Sequence, residues 1–478
     1  MLLNVFFKDQ KGGEVLGIQT DSRLVKDGYI FFAIDGTTKG IDYADMAIKG
    51  GAMAVVCEDK YDFESDKVPV IKVPDAIKEL ARCLNILYPS KSDHIIGITG
   101  TSGKTSTTEF TRQIIEKLGY NSASIGSLGV KYGNEYKKDD TATTKLWEKL
   151  HEELFLLKKK NIDYVVTETT SIGLVRRRTE GLNIEIGAFL NFTQDHLDFH
   201  TNMKDYFDSK MLLFRDVLKN GSPVVLNADI PEFEKISEIC AEKQHKILSV
   251  GYNGDLKILD IKEQFNGQHV KIQYQNNNYE FDTHFIGKFQ VYNLLIALGI
   301  VLQLNIENDI NKIIATFEFI KSANGRLELA GRKKNGAQIY IDYAHKPDAI
   351  EKVLTTMRDH IKNVEGARLG ILFGCGGDRD KTKRPIMGKI ANDLADFVIV
   401  TDDNPRNEVA ETIRDEIMAA CPGAMNIGDR KQAIKKAIEI LQPKDVLILA
   451  GKGHENYTII GNKTYPFDEF EIVREFIN

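Results

Sequence analysis

The sequence predicts an α/β protein of several domains. Short apolar runs of strand length alternate with amphipathic helical segments along most of the chain. A glycine-rich turn, GTSGKTS (Gly100–Ser106), joins one such run to a helix. The 478 residues also exceed what a single core usually holds. Strands that are apolar throughout and separated by helices belong in parallel sheets covered on both faces. Ligands of such sheets sit beyond the carboxyl ends of the strands.

In chain order, the strands are expected at Tyr29–Ile34, Met53–Glu58 and Val68–Val73. A helix follows over Asp75–Tyr88, where Ile77, Leu80, Ala81 and Leu84 make one apolar face. The linker Pro89–Asp93 closes this first region. The strand HIIGITG then opens a second region, and a helix from about Gly103 carries Phe110, Ile114, Ile115 and Leu118 on one face. Further strands are expected at Asp163–Glu168, Ile186–Phe192 and Pro223–Asn227, with a helix at Met203–Phe214. A β-rich polar stretch spans Gly251–Gly287, a helix begins near Gln290, and the region ends around Lys321–Gly325. The third region repeats the rhythm, with strands at Ala337–Tyr343, Leu369–Gly374, Phe397–Asp403 and Asp445–Gly451.

Composition narrows the function classes. Hydrophobic content of 42% and charged content of 28% are those of a globular protein. A net charge of −6 gives no reason to expect nucleic acid or an anionic membrane as partner. The cysteines Cys57, Cys83, Cys240, Cys375 and Cys421 are odd in number and form no CxxC pair, so reduced thiols in a cytoplasm are expected rather than disulfides or zinc. The opening MLLNVFFKDQKGG has no basic segment ahead of a long apolar one, so it does not read as a signal peptide. No apolar run reaches 18 residues, so no membrane span is expected.

The turn Gly100, Thr101, Ser102, Gly103, Lys104, Thr105, Ser106 is placed to cradle phosphate. Backbone N–H groups and the helix N-terminus face the anion, Lys104 reaches the outer phosphates, and the Thr105 hydroxyl suits Mg²⁺. The spacing departs from the common GxxxxGK[ST] loop, with Ile98 off the pattern and a glycine at Gly100. Glu168 ends one strand and NFTQDHLDFH (Asn191–His200) follows another, so a carboxylate and the His196 imidazole fall at strand ends beside the loop. Taken singly, His196 reads as an ordinary polar residue and Lys210 as a solvated helix face.

Together with TDSRLVKDGYIFFAIDGTTKG (Thr20–Gly40), TATT (Thr141–Thr144), GKFQVYN (Gly287–Asn293), GRLE (Gly325–Glu328), DYAHKPDA (Asp342–Ala349), GCGGDRDKTKRPIMG (Gly374–Gly388), DNPRNE (Asp403–Glu408) and AGKGHE (Ala450–Glu455), these segments resemble the Mur ligase superfamily of ATP-dependent amide-forming enzymes. The resemblance covers essentially the whole chain. It implies three domains: a UDP-binding domain over 1–92, a central P-loop-type ATPase domain over 93–322 and a Rossmann-like amino-acid-binding domain over 323–478. It implies an ADP-forming ligase of peptidoglycan synthesis, adding meso-diaminopimelate to UDP-N-acetylmuramoyl-L-alanyl-D-glutamate through an acyl phosphate. It further implies a monomer in the bacterial cytoplasm with ATP and Mg²⁺ as cofactors.

By the same resemblance Lys104, Glu168, His196 and Lys210 are catalytic. Thr105, Glu168, His196 and a carbamylated Lys210 serve the metal, and Asn293, Arg326 and Asp342 lie on the nucleotide side. Thr20 and Ser22 match the UDP end, and Thr143, Thr144, Thr170, Arg176 and Arg178 the muramoyl-peptide. Arg379, Asp403, Asn404, Pro405, Arg406, Gly451 and Glu455 match the amino-acid pocket, with Arg406 selecting the second carboxylate of diaminopimelate. The chain departs from the family at Lys145, Ile172 and Gln290, where TTP, SSH and GxFN are usual. Two other readings follow: a divergent member with a different carboxylate acceptor, and a nucleotide-binding scaffold derived from a ligase. Retention of the full Lys104, Thr105, Glu168, His196 and Lys210 set argues against the scaffold. A folylpolyglutamate synthase-like role would share the ATPase core, but TDSR and DNPR argue against it.

Overall fold

The computed structural model describes residues 1–133, 135–137 and 142–477. Thr141, the first residue of the TATT segment, lies outside them. By density of contact the chain divides into two units: Met1–Ser249 with Gly299–Asn308, and Val250–Leu298 with Asp309–Asn478.

The first unit begins with four parallel strands in sequence order: Gly17–Gln19, Tyr29–Phe32, Ala52–Glu58 and Val70–Val73. The helix Ala76–Leu87 covers one face with Leu80, Cys83 and Leu84, which pack on Ile30, Phe32 and Val56. Asp75 starts that helix by accepting the Lys78 N–H.

The second sheet of this unit is built around His94–Thr99. Tyr164–Glu168 and then Ser122–Gly126 lie parallel on one side, and Ile184–Phe189 and then Pro223–Asn227 on the other. Short antiparallel strands Gly129–Tyr132 and Glu135–Lys137 extend the first side. Strand order therefore reverses at His94–Thr99, and a doubly wound sheet opens a ligand crevice at such a reversal. The middle of the strand is apolar, as in a parallel sheet covered on both faces. Ile95, Ile96 and Ile98 are all buried.

In the second unit Leu256–Gln264, Gly267–Tyr274 and Asn277–Thr283 form an antiparallel meander. A six-stranded sheet runs in the order Glu328–Arg332, Gln338–Asp342, Val446–Ala450, Leu369–Phe373, Phe397–Val400, Met425–Asn426. Only its first pair is antiparallel. Helices Pro347–Ile361 and Lys383–Leu394 cover one face through Leu354, Met357 and Met387. Arg430–Glu439 and Glu469–Phe476 cover the other through Ile434, Ile438 and Val473. A two-stranded hairpin, Tyr457–Ile460 with Lys463–Pro466, stands apart from the sheet.

Candidate active site

The phosphate loop lies where the strand order reverses. Gly103 takes φ +86°, a left-handed backbone that favours glycine, and hands the chain to the helix Lys104–Lys117. The Lys104 ammonium donates to the carbonyls of Gly100 and Thr101, at 2.9 and 2.8 Å, so its charge is held within the loop. Thr105 Oγ1 donates to Glu168 Oε1 over 3.1 Å, while the Ser127 N–H and hydroxyl donate to the same carboxylate at 2.8 and 3.2 Å. A Cβ at Gly126 would collide with the Glu168 carboxylate, so that glycine leaves the space the acid occupies. A hydroxyl beside a carboxylate is a donor pair that suits Mg²⁺, which takes few protein oxygens and completes its shell with phosphate and water. Among the described residues no three His, Cys, Asp or Glu side chains cluster as a full metal cage.

Lys210 corrects its reading as a solvated helix residue. It is 1% exposed on the helix Met203–Leu212, donates to Gly100 O at 2.9 Å and lies 4.4 Å from the Tyr206 ring centre. Burial pushes its pKa well below the usual lysine value, and the nearby charge of Lys104 pushes the same way. His196 stands in the left-handed region at φ +53°. Burial, assisted by the charge of Lys104, lowers its pKa, which favours the neutral ring with its lone pair.

Of the residues expected on the acceptor side, Thr143, Thr144, Thr170 and Arg178 form one hydrogen-bonded group. Thr144 Oγ1 donates to Glu168 O at 3.1 Å, pairs with Thr170 Oγ1 at 3.0 Å and accepts the Thr170 N–H at 3.0 Å. Arg178 Nη1 donates to Thr144 O at 2.7 Å, and Thr143 Oγ1 pairs with Ser127 Oγ at 3.1 Å. The Arg176 guanidinium lies 6.0 Å from the Phe199 ring centre and beside Gly36. Lys145 is 1% exposed, so this departure from the family puts a lysine in the interior. Farther out, Thr20 donates through N–H and hydroxyl to Glu148 Oε1, and Ser22 Oγ contacts Met46 Sδ at 3.3 Å.

In the second unit Asn293 is buried and donates to Gln290 Oε1 at 3.0 Å, so the Gln290 departure touches a residue expected on the nucleotide side. Asp342 ends its strand and accepts the N–H groups of Leu327 and Ala344, both at 2.8 Å. Arg326 sits 5.2 Å from the Tyr343 ring centre. Asp403, Asn404, Pro405 and Arg406 follow the strand Phe397–Val400, and Gly451 and Glu455 follow Val446–Ala450. Both sets are thus at the carboxyl ends of strands of one sheet, on either side of Leu369–Phe373. Arg406 has φ +51°, and its Nη1 donates to Gly377 O at 2.9 Å. Arg379 is exposed in the loop after Leu369–Phe373. One oxygen of Asp403 is buried with no hydrogen-bond partner among the described residues.

Sequence reasoning passed over several residues that hold these groups. Asn191 accepts the Ser102 N–H at 2.9 Å and donates to Ser102 O at 3.0 Å, bracing the phosphate loop. Ser127 orients Glu168, and Glu148 anchors Thr20. Asn191 opens the NFTQDH segment and was within reach of motif reading. Ser127 and Glu148 act through distant pairings that carry no local signal.

A phosphate loop backed by a carboxylate, on a doubly wound sheet, defines a nucleotide-dependent enzyme of the P-loop kind. Comparison with known proteins makes this specific. The family model for the Mur ligase middle domain matches residues 98–301, and that for the Mur ligase glutamate ligase domain matches residues 325–453. The chain is 41% identical to the UDP-N-acetylmuramoyl-L-alanyl-D-glutamate–2,6-diaminopimelate ligase of Mesorhizobium japonicum, over 96% of this chain and 94% of that protein. It is also 41% identical to the ligase of the same name from Agrobacterium fabrum, over 96% and 93%. A solved structure of a ligase bearing this name superposes with a TM-score of 0.73 at 29% identity, covering 100% of this chain and 98% of that one. The chain belongs to the Mur ligase family.

Proposed function

We propose that the chain is an ATP-dependent, ADP-forming ligase that joins meso-diaminopimelate to UDP-N-acetylmuramoyl-L-alanyl-D-glutamate in peptidoglycan synthesis. The observation that carries this reading is its likeness, along 96% of its length, to ligases of that name. The division into 1–92, 93–322 and 323–478 expresses the three tasks: holding the nucleotide-sugar, activating its carboxylate and presenting the amino acid. Separate apolar cores around Ile30, Val165 and Ile371 support it. ATP and a nucleotide-linked substrate, with five buried unpaired cysteines, fit the bacterial cytoplasm.

A carboxylate cannot be attacked by an amine at useful rates, because oxide would have to leave. Transfer of the ATP γ-phosphoryl to a carboxylate oxygen forms an acyl phosphate and releases ADP. The amine then attacks the carbonyl carbon, loses a proton and expels phosphate. Two anions must meet in the first step. Lys104 and the amides at the start of the helix Lys104–Lys117 supply positive charge there. Thr105, Glu168 and His196 would hold Mg²⁺, which when bound offsets phosphate charge.

Lys210 is suited to carbamylation. An amine kept neutral by burial has a free lone pair for the carbon of CO₂, and the new N–C bond forms with loss of one proton. The product is an anion beside the metal-binding groups in place of a neutral amine. Thr143, Thr144, Thr170, Arg176 and Arg178 hold the acceptor, with Thr20 and Ser22 at its uridine end. Asn293, Arg326 and Asp342 hold the adenine nucleotide. Arg406 takes the carboxylate that lysine lacks, with Arg379 beside it. A substrate ammonium would satisfy the unpartnered oxygen of Asp403, with Glu455 adjoining.

Oxygen tracing tests the mechanism. An acceptor labelled with ¹⁸O in its γ-carboxylate should deliver label to the released phosphate during turnover with meso-diaminopimelate. Phosphate free of label would overturn the acyl-phosphate route.

A further inference from the structure

The hairpin Tyr457–Pro466 belongs to neither main sheet and to none of the motifs, yet it is fastened to the DNPR loop at several points. The Arg406 N–H donates to Ile459 O at 3.1 Å, and the Gly461 N–H donates to Arg406 O at 2.7 Å. Arg406 is therefore bonded on both sides of its peptide while held at φ +51°, a backbone that a non-glycine residue keeps only when its surroundings enforce it.

The side chain of Asn404 is the second fastening, and it is 3% exposed. Its Oδ1 accepts the Ile459 N–H at 2.9 Å and the Lys452 ammonium at 3.2 Å, while its Nδ2 donates to Glu455 Oε2 at 2.9 Å. Two donors converge on one end of the amide, so its orientation is forced and the NH₂ end must face Glu455. Lys452 is 0% exposed, its ammonium also donates to Tyr457 O at 2.8 Å, and it lies 5.5 Å from the Phe467 ring centre. One buried lysine thus joins the amino-acid loop to the first strand of the hairpin and the residue that closes its second. Neither its burial nor its bonds serve the sheet, because its partners are a loop amide and a carbonyl at the hairpin's start.

We infer that Lys452 and the hairpin form a selectivity latch, with Lys452 a positioning residue that sets Asn404, and through it Glu455 and Arg406, for the incoming amino acid. This rests on the diaminopimelate reading above. Without the ammonium, Asn404 keeps one donor on Oδ1, its amide can rotate, and Glu455 and Arg406 lose their fixed relation. The loss should fall on diaminopimelate, whose distal centre joins an ammonium to the carboxylate that lysine lacks and needs both groups held in that relation.

The test is steady-state kinetics of full-length Lys452→Met and Ile459→Pro, with ATP, acceptor, meso-diaminopimelate and lysine each varied. Ile459→Pro removes the N–H that reaches Asn404 and sets a ring carbon in its place, in a hairpin outside the main sheets, and so carries the test alone should Lys452→Met not fold. Both variants should raise KM for meso-diaminopimelate about tenfold or more and narrow its preference over lysine, with KM for ATP and acceptor changed less than about twofold. Unchanged diaminopimelate KM and selectivity in folded variants would overturn the latch, as would an equal rise for all substrates. Wild-type enzyme that uses lysine as well as diaminopimelate would overturn the functional reading and the latch with it, a result visible before any variant is made.

Discussion

At the residue scale, Lys104 and Lys210 share Gly100 O as a hydrogen-bond acceptor but have different electrostatic tasks. Lys104 points its charge into the phosphate loop. Lys104→Ala should fold normally and lose on the order of 10²–10³ in rate, as expected when charge stabilisation of a transferring group is removed. Phosphate release by the purified variant, with circular dichroism as a check on folding, measures this. Burial lowers the Lys210 pKa in the folded chain and favours its neutral form, whereas in the unfolded chain it takes up a proton below about pH 10.4. The unfolded state therefore binds more protons than the folded state at pH 7, so this lysine lowers stability there, and the penalty fades as pH rises towards 10. Lys210→Met should be nearly inactive yet melt higher than unmodified wild type in CO₂-free buffer at pH 7. The difference should shrink at pH 10. A variant that melts lower at both pH values would contradict the neutral-amine account. The sequence showed Lys210 as a position in a motif but not its burial, which arises because Gly100, Tyr206 and the helix are brought together from distant segments.

At the element scale, Glu408 fastens two loops of the second unit. It binds Arg384 Nη2 at 3.0 Å, accepts the Asp378 N–H at 2.6 Å and lies 3.1 Å from the Lys381 ammonium. Arg384 is 0% exposed and also pairs with Glu416 at 2.8 Å. The Arg384 hydrogen bonds lower the Glu408 pKa to about 2. The sign follows from that depression: the contribution is complete above the ordinary glutamate value near pH 4.3 and is lost as pH falls towards 2. Glu408→Gln should cost about 2–3 kcal/mol at pH 7, since it leaves a buried guanidinium partly paired, and the difference from wild type should vanish near pH 2. Urea titrations of both proteins at several pH values read this directly. Elements were legible where periodicity was strong. The expected strand Pro223–Asn227 matches in full, and those at 369–374 and 445–451 match to within a residue at each end. The hairpin Tyr457–Pro466 was not, because its strands are four residues each, the second is exposed, and its place is set by Asn404 and Arg406. The short strand Gly17–Gln19 was missed for want of length.

At the scale of the whole molecule, the candidate site residues fall in two units, many of them at the carboxyl ends of parallel strands. The alternation of strands and helices made that placement readable from sequence, since the reversal point of a doubly wound sheet is where loops diverge. What stayed hidden was the support: Asn191 behind the phosphate loop, Ser127 behind Glu168, Lys452 behind Asn404. Each belongs to a pairing across the fold. With a net charge of −6, the anionic substrates of the proposed reaction call for local basic groups, the role proposed for Lys104, Arg176, Arg178 and Arg406. Among the described residues no helix is long and apolar enough to cross a membrane.

Phosphate release with acceptors and amino acids supplied in pairs tests the central claim most directly. With ATP and Mg²⁺ present, UDP-N-acetylmuramoyl-L-alanyl-D-glutamate and meso-diaminopimelate together should give rapid release, with lysine in place of diaminopimelate slower by at least about tenfold. Rapid release with lysine, or with another carboxylate acceptor in place of the nucleotide-sugar, would contradict the account.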